Sequence, residues 1–154
     1  MNKKILALLS IFILMFVFIG CGGSSKESKS TEEKILSKGE KFTFTKDGKD
    51  QYWVSIDEAE LKDNELRLKY SYGNMEFKEK KLLIRGDNFV VKENNNFILD
   101  STGCYWQEPK PLEPGNNCTV DTSYSINNKN IRSLEITLKS EQLKQIATWN
   151  LDIK

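Results

Sequence analysis

The chain has 154 residues, with 23 basic against 22 acidic side chains and no histidine. So even a balance gives no basic face for nucleic acid. Without an imidazole, Ser-His-Asp and Cys-His nucleophile arrangements are excluded. In chain order, Lys3 and Lys4 come first, followed by a run from Ile5 to Ile19 that is apolar except at Ser10. A membrane-spanning helix needs about 20 such residues, so this run is short for a span and suits the core of a signal peptide. Gly20 supplies the small residue that cleavage needs, and Cys21 follows it directly. Gly22, Gly23, Ser24 and Ser25 then lead away as a polar exit.

The stretch FIGC, Phe18 to Cys21, resembles the lipobox of bacterial lipoproteins. That resemblance implies a signal peptide over 1–20 and a diacylglyceryl group on the Cys21 thiol, which becomes the first residue of the mature chain. It also implies an anchor in the cell membrane, facing the extracytoplasmic side. One acyl chain holds a protein only marginally, whereas two or more anchor it stably. Removing Lys3 and Lys4 leaves 23 − 2 = 21 basic residues against 22 acidic, a net charge of −1.

Lipidation would also resolve the odd count of three cysteines, leaving Cys104 and Cys118 as a pair in an oxidising compartment. Pro109, Pro111 and Pro114 lie between them. A disulfide there is the favoured expectation, stabilising by about 3 kcal/mol through loop closure; two free thiols are the alternative. Two thiolates without histidine do not complete a zinc tetrahedron. Asp87, Glu93 and residues 94–96 lack the ligand spacing of a calcium loop. No metal or cofactor is expected.

Residues 22–40 are rich in Ser, Lys, Glu and Gly, with Ile35 and Leu36 the large apolar residues. So little apolar surface cannot offset chain entropy, so 21–40 reads as the lipidated cysteine and a flexible tether, with a short helix over 31–37 as the alternative. From 41 to 154 the pattern is that of strands. KFTFT (41–45) alternates, Asp47-Gly48 marks a turn, and QYWVSIDEAEL (51–61) follows. Lys62-Asp63-Asn64 connects to ELRLKYSYG, where Leu66, Leu68, Tyr70 and Tyr72 share one face. That period of two is the signature of a half-buried strand.

Further strands are expected at KLLI (81–84), NFVVK (88–92), NFILD (96–100) and, after a Ser101-Thr102-Gly103 turn, CYW (104–106). CTVDTSYSI (118–126) places Cys118, Val120, Thr122, Tyr124 and Ile126 on one face. LEITL (134–138) and IATWNLDI (146–153) follow, with a helical turn at SEQLKQ (140–145). Trp53 and Trp149 are expected in the core. Seven to nine antiparallel strands bury their apolar faces best as a two-sheet sandwich.

A strand carrying Phe97, Leu99 and Asp100, then Gly103 and Tyr105, then Leu112, Pro114 and Gly115 resembles a recurring bacterial domain. This is the immunoglobulin-like domain of unknown function carried by many small lipoproteins, related in fold to the secreted immunoprotective extracellular antigens. Asn74 matches the asparagine that ends the family's central strand. The resemblance implies an all-β, immunoglobulin-like antiparallel sandwich over 41–154 and no catalytic residues.

Asp57, Glu58 and Glu60 cluster beside a turn, where such a run is more often a solvated rim than a glycosidase pair. The candidate binding residues are Tyr105 and Trp106, beside the proline loop, where an aromatic pair could stack on sugar rings or anchor a protein. The expected function is therefore that of a membrane-anchored surface lipoprotein with a non-catalytic binding module for a protein or a cell-envelope polysaccharide. A structural or assembly subunit of a membrane complex is the alternative, and nucleic acid is not expected as a partner.

Overall fold

The two hairpin turns that the sequence marks set the register of the first three long strands. In the computed structural model, which describes residues 34–93, 97–126, 130–140 and 143–153, Asp47 and Gly48 both adopt positive φ. So do Asp63 and Asn64. Such two-residue turns match the twist of the flanking strands, and they join β2 (Lys41–Lys46) to β3 (Lys49–Lys62) and β3 to β4 (Glu65–Asn74). From Ile56 to Glu58 the β3–β4 register shifts by one residue, a bulge at Asp57.

The remaining strands are β1 (Lys34–Leu36), β5 (Phe89–Glu93), β6 (Phe97–Leu99), β7 (Ser101–Gln107), β8 (Asn117–Ser125), β9 (Ser133–Ser140) and β10 (Leu143–Asp152). They form two five-stranded sheets. Sheet 1 has the order β1-β10-β9-β5-β6 and sheet 2 the order β2-β3-β4-β8-β7. All pairings are antiparallel except β1 with β10, which is parallel. The chain changes sheet after β1, β4, β6 and β8, so from β5 onward consecutive hairpins alternate between the two layers. The expected all-β sandwich is therefore the fold, with ten strands among the described residues rather than seven to nine.

One continuous core lies between the layers. Sheet 2 contributes Tyr52, Val54, Leu66, Leu68, Tyr70, Tyr72, Val120 and Tyr124, and sheet 1 contributes Val91, Ile136, Ala147, Trp149 and Leu151. These are the faces that the period-two pattern assigned in β4, β8 and β10. Trp149 is fully buried, and its indole N–H donates to the Glu40 carbonyl at 3.0 Å, tying sheet 1 to the entry of β2.

Tyrosine hydroxyls fasten the irregular segments onto this core. Tyr70 donates to Ile84 O at 2.9 Å and Tyr124 to Gly86 O at 2.7 Å, both within the crossing from β4 to β5. Tyr72 donates to Lys110 O at 2.6 Å and accepts from Lys110 N at 3.0 Å, holding the proline loop. Burial pushes all three phenols above their ordinary value of 10, because the phenolate would be stranded in apolar surroundings. Asn74 does similar work with an amide. Its Nδ2 donates to Phe77 O and Leu112 O, and its Oδ1 accepts from Phe77 N. It is the last residue of β4.

Several expectations are corrected. Residues 34–36, assigned to the tether, form β1, with Leu36 buried; a three-residue strand is too short to show a period. The signal peptide, Cys21 and the tether up to residue 33 lie outside the described residues. KLLI is not a strand. Leu82 and Ile84 are buried and Leu83 is exposed, so the alternation is real, but its ladder is a single bridge from Leu82 to Leu112. Ser101-Thr102-Gly103 lies inside β7, where the register with β8 shifts between Ser101 and Tyr105 and Gly103 takes φ +70°. Ser140 and 143–145 belong to strands, not to a helical turn; 141–142 lie outside the described residues.

The Cys104–Cys118 disulfide is not formed: both thiols are free, Cys104 exposed and Cys118 buried. The β7–β8 register gives the reason. Tyr105, next to Cys104, faces Thr122, four residues along β8 from Cys118. At about 3.3 Å per residue, that is about 13 Å along the strand, roughly twice what a disulfide can span between Cα atoms.

Candidate functional site

The outer face of sheet 2 carries the side chains that the core does not use. Along β4 the outward positions are Gly73, Ser71, Lys69, Arg67 and Glu65, alternating with the buried Tyr72, Tyr70, Leu68 and Leu66. Opposite Gly73 in the ladder stands Trp53 of β3, and Asn117 of β8 faces Gly73 from the other side. The Trp53 indole lies flat on the space that Gly73 leaves open: a Cβ built there would meet Nε1 at 2.3 Å and Cε2 at 2.5 Å. Lys41 of β2 sits over the same indole, its Nζ 3.9 Å from the ring centroid. Trp53 is therefore half-buried on the outer face, not in the core as expected from alternation. Alternation fixes which residues share a face, but not which face turns inward.

Beside Trp53 the end of the sheet forms an open pocket of about 560 Å³. Asp50, Met75, Glu76 and Asn117 line it with the indole. Thr45 Oγ1 donates to Asp50 Oδ1 at 2.8 Å, which orients that carboxylate. Gly115 N donates to Asn74 O at 2.8 Å and fixes the turn on the pocket's far wall, a turn that needs φ +86° at Gly115. The Pro114-Gly115 motif thus shapes the pocket through the backbone, as only a residue free of Cβ strain can do there.

From the pocket a row of hydroxyls crosses the sheet. Thr119 and Ser71 share a hydrogen bond of 2.9 Å, Ser71 donates to Asp57 Oδ2 at 2.5 Å, and Ser55 donates to Asp57 Oδ1 at 2.7 Å. The bulge explains why Asp57 takes part. It turns both Asp57 and Glu58 outward, and Asp57, without a ladder partner, reaches the two serines. The carboxylates of the acidic run 57–60 have different neighbours. Asp57 is engaged by hydroxyls, Glu58 stands opposite Lys69, and Glu60 opposite Arg67.

At the other end of the face lies Trp106. Tyr105 and Trp106, singled out together from sequence, point to opposite sides of β7. Tyr105 is half-buried against the core, and its Oη accepts a hydrogen bond from Gly86 N at 3.1 Å. Trp106 is 50% exposed and stacks on the Arg67 guanidinium, whose central carbon is 3.9 Å from the ring centroid. Of the pair, only Trp106 is placed to meet a ligand. Ser55, Ser71 and Thr119 join it in the site and were not singled out by sequence, while Asp57 was noted there as part of a solvated rim and Trp53 as a core residue; the Trp53–Gly73 pairing is visible only once the register is known.

Among known proteins, no family matches the chain and no curated protein matches it. One solved structure that resembles it is a Bacillus subtilis subsp. subtilis str. 168 protein described as a candidate lipoprotein (ycdA). The identity is 9% and the TM-score 0.49. The match covers 66% of this chain and 36% of that one, so the chain spans well under half the length of that relative.

Proposed function

We propose that this chain is a membrane-anchored bacterial lipoprotein, held through a diacylglyceryl Cys21. Its sandwich is a non-catalytic module that binds a component of the cell envelope across the outer face of sheet 2. One observation carries the binding reading: two indoles, Trp53 and Trp106, lie on one sheet face and outside the core that the other side of the same strands builds. Large aromatic side chains outside the core bring contact area at low entropic cost and are typical anchors of interfaces. The lipobox supplies the location, since an anchor of this kind places the domain beside the envelope's own polymers and proteins.

The test uses the lipidated full chain in detergent micelles, mixed with envelope material. Wild type is expected to be retained, and a Trp53→Ala/Trp106→Ala chain to be released. Retention that is indifferent to both substitutions would remove the outer face from consideration. Mass analysis of the mature chain should show an acylated N-terminal Cys21, and a mature chain beginning elsewhere would overturn the anchor.

A further inference from the structure

We infer that the ligand of this face is an extended, uncharged polysaccharide that lies along β4, with one sugar ring stacked at Trp53 and another at Trp106. This inference rests on the reading of the outer face as a binding surface. Gly73 and Arg67, the β4 residues beneath the two indoles, are 73 − 67 = 6 residues apart. At about 3.3 Å per residue, these two backbone positions are about 20 Å apart along the strand. Between them the surface is polar throughout. A protein anchor is usually a contiguous, dehydrated cluster of apolar side chains, and two isolated rings with hydroxyls between them are not that. A linear polymer that offers a stackable face at each end of the same span meets both.

The groups between the rings fit sugar chemistry. Ser71 and Thr119 are half-buried hydroxyls, each able to donate and accept, and they lie beside the Asp57 carboxylate, which only accepts and is held in place by the hydroxyl of the buried Ser55. Sugar hydroxyls also do both, so a chain laid over this row can exchange hydrogen bonds with it at successive positions. The indoles contribute flat apolar faces for the C–H faces of pyranose rings.

Charge decides against an anionic polymer. Lys69 lies between Glu58 on β3 and Asp121 on β8, and Arg67 lies opposite Glu60. The cations named on this face, Lys41, Arg67 and Lys69, stand against Asp57, Glu58, Glu60 and Asp121, 3 − 4 = −1, so the face has no positive field to attract phosphates or polyuronates. The pocket beside Trp53, at about 560 Å³, falls in the range that holds small ligands and would take the terminal sugar or its substituent against Glu76 and Asn117.

The experiment titrates the lipidated full chain in detergent micelles with two series of uncharged oligosaccharides, β-1,4-linked N-acetylglucosamine and β-1,4-linked glucose. Each series is supplied as the disaccharide and the hexasaccharide, and tryptophan fluorescence is the readout. A hexasaccharide can reach both rings and a disaccharide only one. In at least one series the hexasaccharide should therefore bind at least about tenfold more tightly, the gain expected when a second contact becomes intramolecular. Trp106→Ala should bring the hexasaccharide down to the disaccharide's affinity, Trp106→Phe should restore most of the gain, and Trp53→Ala should weaken both lengths. Equal affinity for the two lengths would overturn the inference, as would a hexasaccharide indifferent to Trp106→Ala or no binding in either series. If no saccharide binds but envelope material still retains the chain through Trp53 and Trp106, and protease treatment abolishes that retention, the partner is a protein. The polysaccharide inference then fails while the binding face stands. If retention is indifferent to both tryptophans, both fail.

Discussion

Replacing Gly73 with alanine tests the geometry on which the candidate site depends. The new methyl would sit 2.3 to 2.8 Å from three atoms of the Trp53 indole, closer than any real carbon contact, so the ring must move. Gly73 is not in the left-handed region, so alanine adds no backbone strain there, and by itself it would stabilise by about 0.4–1 kcal/mol through the unfolded chain. Against that stands overpacking, which costs about 1–3 kcal/mol. The displaced ring also loses its contact with Lys41, about 0.5–1 kcal/mol at an exposed site. The net expectation is a destabilisation of about 1–2 kcal/mol, read as a lower urea midpoint with an unchanged slope. In a Trp53→Ala background the obstacle is gone, and Gly73→Ala should be neutral or mildly stabilising, a coupling of about 1–3 kcal/mol between the two sites. If Gly73→Ala costs the same with and without the indole, the ring does not lie where the register places it.

Tyr124→Phe leaves the Gly86 carbonyl without its buried donor and should cost about 1–3 kcal/mol in urea unfolding, with the circular-dichroism spectrum unchanged. Asn74→Ala removes three hydrogen bonds at once, so a loss of more than about 2 kcal/mol is expected, together with faster proteolysis in the 108–115 loop. Tyr52, Tyr70, Tyr72 and Tyr124 all have pKa values raised above 10 by burial. The unfolded chain therefore releases these protons first, so stability is full below pH 10 and falls as pH rises beyond it. In an alkaline titration these four should ionise together with the loss of circular dichroism, and a smooth titration of the intact fold would contradict their burial. A thiol reagent should label Cys104 in the native protein and Cys118 only after unfolding. A non-reducing mass lower by two hydrogens would instead show the bridge that the strand register forbids.

Much of the sandwich was legible because its signals are local. Asp47-Gly48 and Asp63-Asn64 carry their turn geometry in their own backbone preferences, and Leu66 to Tyr72 announce a strand by alternation alone. Where alternation had no partner strand, as at Leu82 to Ile84, the same pattern misled, because a ladder is a property of two segments. Tyr105 and Trp106 were visible as a pair, and neighbours on a strand point to opposite sides; which of the two turns toward the core follows from the pairing of β7 with β8, whose register shifts between Ser101 and Tyr105.

By itself, the sequence determined the all-β class, the hairpins and the composition of each strand face, and its FIGC stretch resembles a lipobox. Only the tertiary structure decided that Trp53 rests on Gly73, that Trp106 stacks on Arg67 and that Cys104 and Cys118 stand apart. The physical reason is that β4 pairs with β8 across some fifty residues of chain, and that register is chosen by the core. Tyr70 faces Val120 and Leu66 faces Tyr124 because both members of each pair must be buried. The outer face inherits whatever alignment the inner one requires.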